Sequence, residues 1–303
     1  MPRAPCEHEK QHDPPVRSPP IGIDAPAAEI LVAARQGGVS FTQTLTVGRQ
    51  VIDAPGRQLA RLGLNGMRMG GNGDDLLRLL GATSVDSLDA SDYEGATLIH
   101  DLNRELPADW AERYSAVFDG GSLEHVYDLP KALRSCMNLV SVGGHYIAAS
   151  PANNNMGHGF YQLSPEFYFR SFAVEHGWRL RGLFMTERFV RTRWYAVSDP
   201  DTLDRRLTLQ NRARADLFVI AEKLRPSGIA DDPPQQRFYE AAWASSHSSV
   251  PRALTQRVPG ALRPALNSLS AFRSSRRGRP GITRIAKPQI PASEPYGGSS
   301  DDE

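Results

Sequence analysis

Three acids carry the first chemical signal in this chain. Residues 85–88 run into Asp89, residues 96–100 into Asp101, and residues 116–118 into Asp119-Gly120-Gly121. An acid that ends an apolar run is costly to bury unless hydrogen-bond donors meet it. Three of them predict one crevice along the carboxyl edge of a parallel sheet, the usual ligand site of open α/β folds. The second signal is histidine. Glu124-His125 follow the third acid, and His158 lies in Asn153-Asn154-Asn155-Met156-Gly157-His158-Gly159-Phe160-Tyr161-Gln162. Imidazole is the commonest side-chain base near neutral pH, so His158, His125 and Glu124 are the candidate catalytic residues. The amides and phenol around His158 suit the hydroxyls of a polar acceptor, and its flanking glycines suit a presenting loop. Blander readings stand beside these. His125 can orient a neighbouring helix, Glu124 can sit in a first helical turn favoured by the dipole, and the asparagines can be turn formers.

The elements that must position these residues follow from periodicity. A short helix over residues 27–36 stops at Gly37-Gly38, and residues 41–47 read as the first strand, ending at Gly48. Residues 56–62 and 74–80 are helical pieces joined by a glycine-rich surface connection. Val126, Leu129, Leu133, Met137 and Val140 repeat at helical spacing, predicting a helix over 129–139 with a buried face. Pro130 sits near its start, where a missing N–H costs nothing. Gly143-Gly144 close that connection and residues 145–149 form the next strand. Ser164-Pro165 are an N-cap and N1 pair for a helix over 165–176, and Gly177 suits its C′ position. Residues 178–185 and 216–222 read as further strands. Alternation from about residue 41 to 222 predicts an α/β fold, a mostly parallel twisted sheet with helices on both faces.

From about residue 41 to 224, this order of elements and these motifs resemble the class I S-adenosylmethionine-dependent methyltransferases, in their small-molecule and glycan branch. The stretch 85–178 carries most of the likeness. The resemblance implies that Asp89 holds the ribose hydroxyls, that Asp101-Leu102 receive the adenine, and that Phe118-Asp119-Gly120-Gly121 line the methionine side. Leu123-Glu124-His125-Val126 resembles an LEHV run of the small-molecule branch. The strands at 178–185 and 216–222 resemble the antiparallel hairpin that closes this Rossmann-like fold, so an antiparallel C-terminal strand is expected. With Gly48 of the first loop, the implied cofactor-binding set is Gly48, Asp89, Asp101, Leu102, Asp119 and Gly120, and the implied cofactor is S-adenosylmethionine. The implied activity is methyl transfer to a polar small molecule or glycan. A carboxylate suits a ribose because it accepts both hydroxyls in charge-assisted bonds. The first loop departs from the pattern: Thr46-Val47-Gly48-Arg49-Gln50 has one glycine and no acid. That departure leaves open a methyltransferase-like fold without catalysis, serving as a binding or interaction module.

Bulk properties exclude other classes. The chain has 303 residues, with 35 Lys+Arg against 34 Asp+Glu, so net charge gives no case for nucleic acid or membrane surfaces. Two cysteines, Cys6 and Cys136, make no disulfide framework and fit a reducing compartment. Without an apolar leader or a membrane span, a cytoplasmic protein is expected. No G-x-S-x-G elbow occurs, and the first loop lacks the G-x-G-x-x-G of a nicotinamide enzyme. No metal site is expected, Cys6, His8 and His12 being scattered in a flexible tail. The expected organisation is a disordered tail over residues 1–26, a domain over 27–225, and a largely disordered basic tail over 226–303. The domain carries a solvated, arginine-rich insertion at about 187–214, whose sharper reading is a rim for an anionic substrate. Every charge from Arg252 to Lys287 is positive, which makes the second tail a candidate segment for docking a protein partner.

Overall fold

The computed structural model describes residues 22–188, 192–203, 207, 211–226, 233–237 and 281–291. In chain order these form β1 (Gly22–Asp24), α1 (Ala25–Gln36), β2 (Gln43–Val47), β3 (Val51–Asp53), α2 (Gly56–Ala60), α3 (Gly73–Leu79), β4 (Ser84–Asp89) and β5 (Leu98–Ile99). There follow β6 (Tyr114–Asp119), α4 (Leu129–Leu139), β7 (Val140–Pro151), α5 (Pro165–Ser171), β8 (Trp178–Glu187), β9 (Arg193–Val197), β10 (Ala215–Lys223) and β11 (Ile282–Ile285).

The helices start where local chemistry satisfies their first N–H groups. Asp24 caps α1 through the Ala27 N–H at 2.9 Å, and Asn72 caps α3 through Asp74. Asp128 caps α4 ahead of Pro130, and Ser164 caps α5 ahead of Pro165. The predicted span of α4 matches its observed bounds. The helix read over 165–176 is shorter: α5 ends at Ser171, and a separate 3₁₀ turn at Val174–His176 ends on Gly177 at φ 83°.

The main sheet has the order β11-β9-β8-β10-β7-β6-β2-β4-β5. From β5 to β7 all neighbours are parallel. From β7 to β11 all are antiparallel, with β10 inserted between β7 and β8. The sheet is therefore mixed, which corrects the expectation of a mostly parallel one. Two strands without a local sequence signal make the difference. β9 lies inside the arginine-rich stretch read as a solvated insertion, where Trp194, Tyr195 and Val197 are buried. β11 lies in the tail read as largely disordered, where Ile282 is buried against β9. Upstream, residues 22–26, read as tail, form β1 and the start of α1, and β1 pairs with β3 as a separate parallel ribbon. Gly143-Gly144 sit inside β7, at a register break against β6 with Gly143 at φ 79°. The expected tail over residues 1–21, and most of the basic tail, lie outside the described residues.

Side chains of period two divide the sheet between two cores. Leu45, Val117, Tyr146 and Val219 face α4 and α5, packing with Leu133, Met137, Tyr168 and Phe172. Phe118, Ile147, Phe218 and Ile220 face α1 and α3, packing with Ile30, Leu31, Leu76 and Leu77. Arg188, from the expected rim, is tied between Asp24 and Asp216 and pins β1 to β10.

One buried group gives this fold a pH dependence. His145 of β7 is buried, neither ring nitrogen has a hydrogen-bond partner among the described residues, and burial pulls its pKa down to about 4. Its unfolded value is near 6.5. A depressed value means that the neutral ring contributes stability fully above pH 6.5, and that this is lost as pH falls toward 4. Buried Asp119 and Glu124, with raised values, act in the opposite sense over this range, so the His145 contribution is read as a difference: relative to His145→Leu, the parent's denaturation midpoint should fall as pH drops from 6.5 to 4. An unaltered profile would show that acid sensitivity comes from elsewhere.

Candidate functional site

The chain moves outward from β2 through β4 to β5, then returns to β6 and β7 on the other side. The reversal falls between β2 and β6. A crevice opens where loops diverge beyond the carboxyl ends of such a strand pair. Gly48 ends β2 and Asp119-Gly120-Gly121 end β6, so the two loops singled out from sequence meet at that point.

Gly48 has φ 72°, and a Cβ there would lie 3.0 Å from Ser122 Oγ. Both features call for glycine. Ser122 Oγ donates to the Val47 carbonyl at 2.7 Å, which locks the β2 and β6 loops together. Arg49 turns to the exposed β4–β5 connection, where its guanidinium donates to the Gly95 carbonyl at 2.8 Å. Gln50, which carries no motif signal, fills the space instead. It is buried, its Nε2 donates to Val47 O at 3.1 Å, and its Oε1 has no partner among the described residues. A Cβ on Gly120 would lie 2.4 Å from that Oε1, so only glycine admits the amide.

The acids divide by role. Asp89 is partly exposed, and its carboxylate accepts a single long bond, from Ser91 N–H at 3.3 Å. Most of its acceptor capacity faces outward. Asp101 Oδ1 accepts from the Asn103 backbone and side chain at 2.9 and 2.8 Å, which holds its pKa below the usual value. Leu102 beside it is buried. Asp119 is turned inward. It accepts from Gly121 and Ser122 N–H and from Tyr146 O–H, at 3.1, 2.7 and 3.3 Å. Burial outweighs those bonds and pushes its pKa up to about 6. Its carboxylate holds the β6 loop.

The three candidate catalytic residues come together. Glu124 lies in a 3₁₀ turn at Leu123–His125 and is 1% exposed. His158 Nε2 is 3.3 Å from Glu124 Oε1, His125 Nε2 is 4.0 Å from the same oxygen, and the two rings are 5.2 Å apart. Glu124 Oε2 has no hydrogen-bond partner among the described residues. Burial, then the charge of Asp119, pushes the Glu124 pKa up to about 8. Burial and then His158 lower that of His125. Gly121, at φ 108°, would set a Cβ 3.2 Å from Glu124 Oε1, so this cluster abuts the β6 loop directly.

The loop after β7 is built differently from the sequence expectation. Its amides are engaged within the protein. Asn154, at φ 61°, donates to Ala213 O at 2.7 Å and to Asn211; Asn155 donates to Ala215 O at 2.8 Å; Gln162 accepts from Asn155 N–H at 2.9 Å. Tyr161 O–H donates to Tyr127 O at 2.6 Å. These groups stitch the loop to the start of β10 rather than offering themselves to a ligand. Gly159 then packs so tightly that a Cβ would meet Glu124 O at 2.8 Å, and Phe160 N–H donates to the same carbonyl. That contact delivers His158 to Glu124. Tyr127 and Phe160 stand exposed at the rim, edge to face at 5.8 Å.

The parallel run β5-β4-β2-β6-β7, closed by β10 inserted antiparallel between β7 and β8, is the ending that the sequence resemblance implied. The fold is an α/β Rossmann-like one with a mixed sheet. No family model matches the chain, and no curated protein matches it. Solved structures are similar to it at low overlap. The MccD protein is 13% identical, over 65% of this chain and 98% of that one, with a TM-score of 0.40. The trans-methyltransferase CalH, solved with SAH, is 14% identical, over 65% of this chain and 55% of its own, with a TM-score of 0.36. TehB from Haemophilus influenzae is 14% identical, over 64% and 61%, with a TM-score of 0.35. With overlaps this low, the description of the fold rests on the strand order alone. No helix among the described residues is long and apolar enough to cross a membrane.

Proposed function

We propose that the chain is an S-adenosylmethionine-dependent methyltransferase that modifies a hydroxyl of a polar small molecule or glycan. The observation that carries the reading is the contact between two loops: His158, after β7, meets Glu124, which lies against Gly121 of the same β6 loop whose Gly120 packs on Gln50. A group able to take a proton thus adjoins the crevice at the switch point.

The residues present fit the cofactor on two counts. Asp89 has free acceptor capacity for ribose hydroxyls among the described residues, and Gln50 Oε1 is a buried acceptor without a partner among them. When bound, S-adenosylmethionine supplies an electrophilic methyl group on sulfur. Asp101 and Leu102 would receive the adenine, and Gly48 and Gly120 the methionine side, with Asp119 holding the loop. The acceptor hydroxyl would lose its proton to His158, whose other partner is the Glu124 carboxylate.

The acceptor class draws on the rim. Tyr127 and Phe160 offer aromatic faces beside the cluster, suited to the C–H face of a sugar-like ring whose hydroxyl enters the polar centre. Incubation with methyl-labelled S-adenosylmethionine and a panel of hydroxyl-bearing sugars and glycosides should transfer label to at least one. Transfer confined to protein or nucleic acid would contradict the acceptor class.

A further inference from the structure

We propose that Glu124, His125 and His158 form a binding site for one divalent transition-metal ion, held by two imidazole nitrogens and one carboxylate. The proposal rests on the reading of these three side chains as the group that activates the acceptor.

Their geometry is close to that of a ligand set. One ligand atom from each of the three residues lies within 4.8 Å of the others. Atoms bound about 2.1 Å from a shared ion stand roughly 3–3.4 Å apart. His158 Nε2 and Glu124 Oε1 already meet that separation at 3.3 Å, and His125 Nε2 at 4.0 Å needs a small side-chain adjustment. The frame is fixed from both sides: Gly159 packs on the Glu124 carbonyl, and Phe160 N–H bonds to it.

An unpaired acceptor points to a cation independently. Glu124 is 1% exposed, its Oε2 has no hydrogen-bond partner, and among the described residues no lysine or arginine pairs with it. The ionised form of such a buried acid is costly without a cation beside it. A cation between the three groups removes the cost and leaves His158, 49% exposed at its side chain, on the solvent side where further positions stay open. Two imidazoles and one carboxylate with open positions is a donor set that suits zinc, iron or manganese rather than calcium or magnesium.

An ion there deepens the catalytic reading. It lowers the pKa of a hydroxyl that reaches it, as it does for water. The proton then leaves to solvent, and His158 acts as a ligand in place of acting as the base. No sequence spacing announces such a site because its ligands come from two loops, after β6 and after β7.

The full chain, stripped with chelator, is titrated with Mn²⁺ alone and followed by electron paramagnetic resonance, with S-adenosylmethionine binding measured calorimetrically on the same samples. The expected result is one Mn²⁺ per chain, with affinity roughly tenfold or more weaker in both Glu124→Gln and His158→Ala. His158 is partly exposed, so its variant stays informative if Glu124→Gln folds poorly. Absence of Mn²⁺ binding, or binding that both variants leave unchanged, overturns the metal site and leaves His158 as the base. Variant-sensitive Mn²⁺ binding without S-adenosylmethionine binding supports the metal site and overturns the methyltransferase reading instead.

Discussion

His158→Ala is expected to slow methyl transfer by about 10²–10⁴-fold, the usual contribution of a positioned acid–base group, with S-adenosylmethionine affinity unchanged. The split follows from position. His158 touches Glu124 at 3.3 Å beyond the β6 loop, while the residues proposed for the cofactor lie at the ends of β2, β4 and β6 and just beyond β5. Because His158 is half-exposed and its loop is held by Asn154, Asn155 and Gln162, truncation should leave the melting temperature close to that of the parent. Single-turnover rates, calorimetric cofactor titrations and a thermal melt check the three parts. A rate equal to the parent's would remove His158 from the chemistry, as base or as ligand.

The second large effect is expected at Asp89. Asp89→Ala should weaken S-adenosylmethionine binding by about 1.5–3 kcal/mol, the range for a lost hydrogen bond to a charged group. Asp89→Asn should recover part of that, since an amide oxygen still accepts from a hydroxyl. The basis is that Asp89 uses only one long bond, to Ser91, within the described residues. Asp119 is the informative contrast. It is buried with three internal donors, so Asp119→Ala should lower stability and activity together by loosening the β6 loop. Denaturation midpoints beside binding curves separate the two cases.

Local signals in the sequence are enough for several elements. The apolar stripe of α4, the Ser164-Pro165 start of α5 and the left-handed Gly177 are each set by residues within a turn or two of one another. The three acids, and Glu124-His125 and His158 as two separate candidate places, are legible because they fall at or just beyond strand ends; that the two places meet is a product of the fold. Long-range pairing is not legible. Arg193–Val197 has only five residues in an arginine-rich stretch, and its strand exists because β8 and β11 flank it. Ile282–Ile285 carries two apolar residues and acquires its order from β9. The asparagines announce a polar loop, but their partners Asn211, Ala213 and Ala215 belong to a distant segment, so their stitching role is invisible in the local pattern. Gln50 is hidden for the same reason: its meaning depends on Gly120, which the fold alone brings beside it.

The central claim is that this crevice takes S-adenosylmethionine, and calorimetric titration of the full chain with that compound tests it most directly. The expected result is saturable one-to-one binding that Asp89→Ala weakens and that NAD does not reproduce. No binding at millimolar S-adenosylmethionine by the folded chain would contradict the claim and favour a methyltransferase fold that works as an interaction module.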